Sequence, residues 1–163
     1  MPKDYFQLTV RNSVGVLIPV TDTVEVVTCQ RREICPIPGV VFPLRGVLNQ
    51  RGRLLWVVGL GDLLALPPPQ VKKRPQDQLT IVIFSDQNES NIRLGGIVSR
   101  LQGIISLSET AINPVPPKFR PEARQFLTGI ATIEGKKAAL LDVPSVFEHL
   151  QQISLSTYSS VSL

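Results

Sequence analysis

Metal-binding and stacking side chains are scarce in this chain of 163 residues, which holds one histidine, two cysteines, one tryptophan and 6% aromatics. Cys29 and Cys35 have no second pair nearby, and His149 is distant in sequence. That spacing matches no common zinc motif and cannot close a tetrahedral site, so both read as buried free thiols. His149, in "SVFEHLQ", falls on the polar side of an expected terminal helix, with no nucleophile-elbow serine to serve. The carboxylates are scattered, and "RLGG" and "VGLG" lack the Gly-x-x-x-x-Gly-Lys-Ser/Thr order of a phosphate loop. No enzymatic activity, metal or cofactor is therefore expected. Also missing is any apolar run near the ~20 residues that span a bilayer, and "MPKDYFQLTV" has no signal-peptide core. The expectation is a cytoplasmic protein with no direct membrane insertion.

Charge is weakly one-sided, +4 overall with a pI of about 9.4. The single tight basic run, Lys72-Lys73-Arg74, sits in "LPPPQVKKRPQDQ", which reads as a linker. Few aromatics interleave with the basic residues, so base stacking has little support. A small-barrel nucleic-acid-binding module is kept as the alternative, and no nucleic acid is expected.

What is abundant is β-branched and punctuated. Hydrophobic residues make up 43% of the chain, Val and Ile prominent among them, with 14 prolines. β-branched side chains fit a pleated surface better than a helix. Short apolar runs between Gly and Pro argue for small barrels, because closing a sheet hides its edges.

An internal repeat organises these runs. "FPLRGVLNQRGRLLWVVGLGDLL" (42–64) matches "FLTGIATIEGKKAALLDVPSVF" (126–147), with Gly46 and Gly52 against Gly129 and Gly135 at an offset of 83. Upstream, "GVLIPVTDTVEVV" (15–27) resembles "GGIVSRLQGIISL" (95–107) at an offset of 80. Two successive units follow, about 14–66 (completed by terminal segments) and about 79–150, with a proline-stiffened linker at 67–78 and a serine-rich tail at 151–163. "SDQNESN" (85–91) reads as a hairpin turn, and the last helix begins near Val143 with Asp142 as N-cap. The tail either frays or adds a strand.

The stretch "IPGVVFPLRGVLNQRGRLLWVVGL", followed by "RLGGIVSRLQGIISLSETAINPVPP" and "FLTGIATIEGKKAALLDVPSVF", is similar in order and spacing to CheW-like chemotaxis coupling proteins from Tyr5 to about Leu150. The resemblance implies a mainly β fold of two SH3-like five-stranded barrel subdomains with short helices, acting as a non-catalytic adaptor. Its implied partners are the regulatory domain of a CheA-type histidine kinase and the cytoplasmic tip of a chemoreceptor, the latter docking along the groove between barrels. The positions that match the family pattern, and so the implied protein-binding residues, are Val24, Gly46, Asn49, Arg51, Gly52, Gly96, Ile97, Val98 and Ile104. Arg51, in "NQRG", is the most characteristic. Three positions depart: Trp56 for a usual proline, Gly59 for an aspartate, and Ser99 for an acidic residue. These fit a divergent coupler serving a phototaxis or type IV pilus pathway rather than a flagellar one.

Arginine suits a contact surface through its planar fork of donors and its apolar stem. The second-half turn carries Glu134 where Arg51 stands, so only the first copy is nominated. Trp56, on a strand, is expected in a core or between the barrels.

Overall fold

The computed structural model describes residues 1–11, 14–40, 42–86 and 89–151, and of 89–91 the backbone alone. In chain order the elements are β1 (Lys3–Val10), β2 (Val14–Pro19), β3 (Thr23–Gln30), β4 (Leu44–Gln50), β5 (Arg53–Gly59), α1 (Leu60–Leu63) and β6 (Gln78–Asp86). There follow β7 (Glu89–Val98), β8 (Arg100–Leu107), α2 (Pro121–Arg124), β9 (Leu127–Ile133), β10 (Lys136–Leu141) and a helix over 143–151, α3. The β6–β7 turn at 87–88 and the tail at 152–163 lie outside the described residues.

The strands form two five-stranded sheets, in the orders β8-β1-β2-β10-β9 and β3-β6-β7-β5-β4. Replacing β1 to β5 by β6 to β10 turns one order into the other, so the repeat is real in three dimensions. The sheets nevertheless do not follow the expected division at 67–78. Each half gives two strands to one sheet and three to the other, through the parallel pairs β2–β10 and β5–β7. Residues 60–77, beginning with α1, thus connect β5 and β6 of a single sheet.

Pairing register also corrects the upstream alignment. Leu17 lies beside Leu140, and Gly95 beside Val57, the counterpart of Leu140. Leu17 and Gly95 are therefore equivalent, and Gly15 and Gly95 are not. A Cβ on Gly95 would stand 2.8 Å from Ile81 Cγ2 and 3.0 Å from Leu55 Cδ2, a local packing demand.

Both sheets are ladders with open ends rather than closed barrels. One isolated bridge approaches closure in each: Cys35 with Val47 in one, Asn113 with Ile130 in the other. These two bridges explain the repeated glycines. A Cβ on Gly46 would lie 2.2 Å from the Cys35 carbonyl oxygen, and one on Gly129 would lie 2.8 Å from that of Asn113. Just before each glycine the register slips, making Arg45 and Thr128 the extra residues of equivalent bulges. A bulge re-aims a side chain, and what it re-aims differs between copies.

Period-two alternation sends successive side chains of one strand into different cores. Leu17 and Leu140 pack inside one sheet, and Val57, Ile81 and Ile83 inside the other. Val16, Ile18, Val58, Val82 and Phe84 point between the sheets, into the largest of the three apolar clusters. The helix α3 seals that shared core with Val143, Val146, Phe147 and Leu150. Central strands with both faces covered read as continuous apolar runs, which is why "VLI" and "IVIF" show no polar alternation. As expected, Asp142 caps α3, accepting a hydrogen bond from the Ser145 N–H at 3.3 Å.

The cysteines part company. Cys29 is buried, and burial, then Glu33, pushes its thiol pKa up; Cys35 is exposed, contrary to the expectation for both. A thiol reagent should therefore titrate one cysteine per native chain promptly and the second only in denaturant. Prompt labelling of both would show Cys29 to be accessible.

Candidate protein-binding site

At the β4–β5 hairpin, Gln50 pairs with Arg53, leaving Arg51 and Gly52 as a two-residue loop. Both have positive φ, 53° and 82°. That is the type I′ geometry that matches strand twist. Glycine adopts it freely; arginine does so at a cost. The side chain of Asn49 offsets part of it, its Oδ1 accepting from the Gly52 N–H at 2.9 Å. The second-half turn has the same geometry, with Glu134 at φ 49° and Gly135 at 79°.

The conformation holds Arg51 outward. Its side chain is 78% exposed, and Nη2 reaches Glu25 Oε2 at 3.5 Å. A pair so exposed contributes about 0–1 kcal/mol and leaves the guanidinium available. Glu25 follows Val24, which sits at a register slip of β3 and is 39% exposed. Arg51 and Asn49 of the β4–β5 hairpin thus meet Glu25 and its neighbour Val24 on β3, the opposite edge strand of the same sheet, at one corner.

The other nominated residues divide. Ile104 is 58% exposed but lies on β8, an edge strand of the other sheet. Gly96 is buried, and a Cβ there would press on Leu60 Cγ at 2.9 Å and Phe84 Cε1 at 3.1 Å. Gly46 is buried for the reason already given. Val98 belongs to the shared core, and half-buried Ile97 packs against the core of its own sheet. Between the sheets, where the resemblance implied docking ground, lies the shared core of Val16, Ile18, Val58, Val82, Phe84 and the α3 side chains. Trp56 is not in a core: between inward Leu55 and Val57 it faces outward, 38% exposed, near Leu54 at 74%. His149 is half-buried, stacked edge-on against Phe126 at 5.1 Å.

A second feature escaped the sequence reading. The departure at Gly59 is answered three residues later by Asp62, whose Oδ2 would be 2.6 Å from a Cβ at Gly59. Only 6% exposed, Asp62 accepts from Arg11 through Oδ1 and from Arg45 through Oδ2. Arg11, following β1, also donates to the Leu66 carbonyl at 3.2 Å and lies across Gly61. The cluster therefore ties the end of a strand in one sheet to the α1 turn and the β4 bulge of the other. Beside it opens a groove of about 620 Å³, lined by Arg11, Arg31, Arg45, Lys73, Ile97 and Val98 among others. No two of those cations adjoin in sequence, and the one available signal was an aspartate displaced from the strand end.

Two sheets exchanging strands around a shared core, with one hairpin tip held outward, are the architecture of a CheW-like domain. The model of that family, described as CheW-like domain, matches residues 4–151, and the chain belongs to it. Among curated proteins it is 29% identical over 112 residues to a chemotaxis protein CheW of Rhizobium meliloti, covering 69% of this chain and 68% of that one. It is 24% identical over 131 residues to a chemotaxis protein CheW of Thermotoga maritima, covering 79% and 78%. Its fold is similar to the crystal structure of the scaffolding protein TtCheW from Thermoanaerobacter tengcongensis, with a TM-score of 0.70, 23% identity, and 86% and 89% of the two chains covered.

Proposed function

We propose that this chain is a cytoplasmic, non-catalytic adaptor that couples the tip of a methyl-accepting-type chemoreceptor to the regulatory domain of a CheA-type histidine kinase. The pathway is one of chemotaxis, phototaxis or pilus motility. The observation that carries the reading is the family match over 4–151. Arg51, Asn49 and Val24 form the contact corner, with Ile97 and Ile104 as further contacts. Gly46, Gly96 and Val98, all buried, shape the surface, and Gly52 lies exposed beside Arg51 at the hairpin tip.

Truncating an interface arginine at a hot spot costs about 2 kcal/mol or more. Arg51→Glu is therefore expected to weaken binding to the kinase regulatory domain or the receptor tip by roughly thirtyfold. Its melting temperature should stay within a degree or so of the parent, because the Glu25 pair stabilises little. Glu134→Arg, at the equivalent turn, should leave binding unchanged. Calorimetric titration separates the outcomes: unchanged affinity in Arg51→Glu removes the arginine from the contact.

A further inference from the structure

We propose that the groove beside the Arg11–Asp62–Arg45 cluster binds an acidic segment of a partner protein, its carboxylates on the groove's cations and its aliphatic side chains on the apolar floor. The inference rests on the groove, which shares Ile97 with the contacts proposed above, and does not depend on Arg51. Arg11, Arg31, Arg45 and Lys73 line it from four separate segments, and among the described residues none that lines it is acidic. Two nearby carboxylates balance part of this charge: Asp62 on Arg11 and Arg45, and Asp77 at 3.7 Å from Arg31 Nη2. Among the described residues no carboxylate pairs with Lys73, so an excess of positive charge remains.

The donors themselves are unmet. Arg31 Nε and Arg45 Nε are both buried with no hydrogen-bond acceptor, and a buried unsatisfied N–H is costly. Burial lowers the Lys73 pKa, with Arg45, Arg31 and Arg11 adding to the effect and Asp62 opposing it. An anion in the groove would relieve that mutual repulsion and accept from the guanidinium and ammonium groups that line it. Charge-assisted bonds of this kind are about twice as strong as neutral ones.

The remaining lining tells what carries the anion. Ile34, Leu79 and Ile97 supply aliphatic surface, and among the described residues no aromatic ring lines the groove for a nucleobase to stack upon. A volume of about 620 Å³ falls within the usual range of ligand sites and accommodates a few residues of extended chain. Carboxylates interspersed with Leu or Val meet both kinds of surface.

The test uses the full chain and a fluorescein-labelled octapeptide alternating Glu with Leu or Val, followed by fluorescence polarisation. We expect saturable binding that weakens with salt and is at least tenfold tighter than that of the same peptide with Gln for Glu. The double variant Arg31→Gln/Lys73→Gln should lose at least fivefold in affinity at an unchanged melting temperature, while Arg51→Glu should bind the peptide normally. Arg11 and Arg45 are left intact because they hold Asp62. The proposal is overturned by equal affinity for the two peptides, by no binding at millimolar peptide, or by full affinity in the double variant. It is equally overturned if inorganic phosphate, ATP or duplex DNA displaces the labelled peptide at lower concentration than the unlabelled one does.

Discussion

Replacing Asp62 by alanine is expected to lower the unfolding free energy by about 3 kcal/mol, the low end for removing one partner of a buried charge cluster. Both carboxylate oxygens are engaged, and the side chain is only 6% exposed. Its loss would strand Arg11, which is 13% exposed, more severely than Arg45, which at 33% can turn toward water. Urea denaturation would read the loss as a lower midpoint at unchanged slope, the signature of changed stability rather than changed compactness. A second substitution sharpens the point. With Asp62 gone, space opens over Gly59, where a Cβ would stand 3.5 Å from Arg45 Nε. Gly59→Asp in the Asp62→Ala background should recover about 1 kcal/mol through Arg45, whereas alone it should destabilise by crowding Asp62. Additive losses in the double variant would show that the two positions do not share one charge site.

Gly46→Ala is expected to cost about 3 kcal/mol or more, the combined price of backbone strain and overpacking. Its φ is 146°, and the three atoms nearest a new Cβ are backbone of Cys35 and Pro36, at 2.2, 2.8 and 3.0 Å. No side-chain rotation relieves such contacts. The strain falls on the Cys35–Val47 bridge, whose hydrogen bonds measure 2.7 and 2.9 Å. Gly129→Ala meets Ile112 Cγ2 at 2.6 Å and the Asn113 oxygen at 2.8 Å, where a side-chain methyl can yield in part. It should cost about half as much. For a chain of this size the Gly46 variant should melt roughly 6–12 °C below the parent. A smaller effect at Gly46 than at Gly129 would mean that the passing backbone shifts freely.

These two sites show what the sequence made legible. Gly46, Gly52, Gly129 and Gly135 recur at fixed spacing because the same turn and the same close approach recur. That geometry is local, so the repeat, the hairpins and the mainly β class could be read directly. Sheet membership could not, because the parallel pairs β2–β10 and β5–β7 join segments far apart in sequence and leave no periodic mark. Gly15 and Gly95 looked equivalent but answer different neighbours. The proposed contact corner was half legible: Arg51 and Asn49 lie within one turn, while Glu25 reaches Arg51 only through the fold. The basic groove was illegible for the same reason, its cations coming from the end of β1, the turn after β3, the β4 bulge and the 67–77 connection. Trp56 shows the limit of residue-type priors. Strand alternation placed it outward against the usual preference of a tryptophan.

The most direct test of the coupling account is sedimentation velocity on the purified chain mixed with a receptor-tip helical hairpin and the regulatory domain of a CheA-type histidine kinase. The account predicts a ternary species larger than either binary complex, in which both partners sediment with this chain, and its dissociation upon Arg51→Glu while the fold melts normally. Failure to bind either partner, or displacement of one by the other, would contradict it.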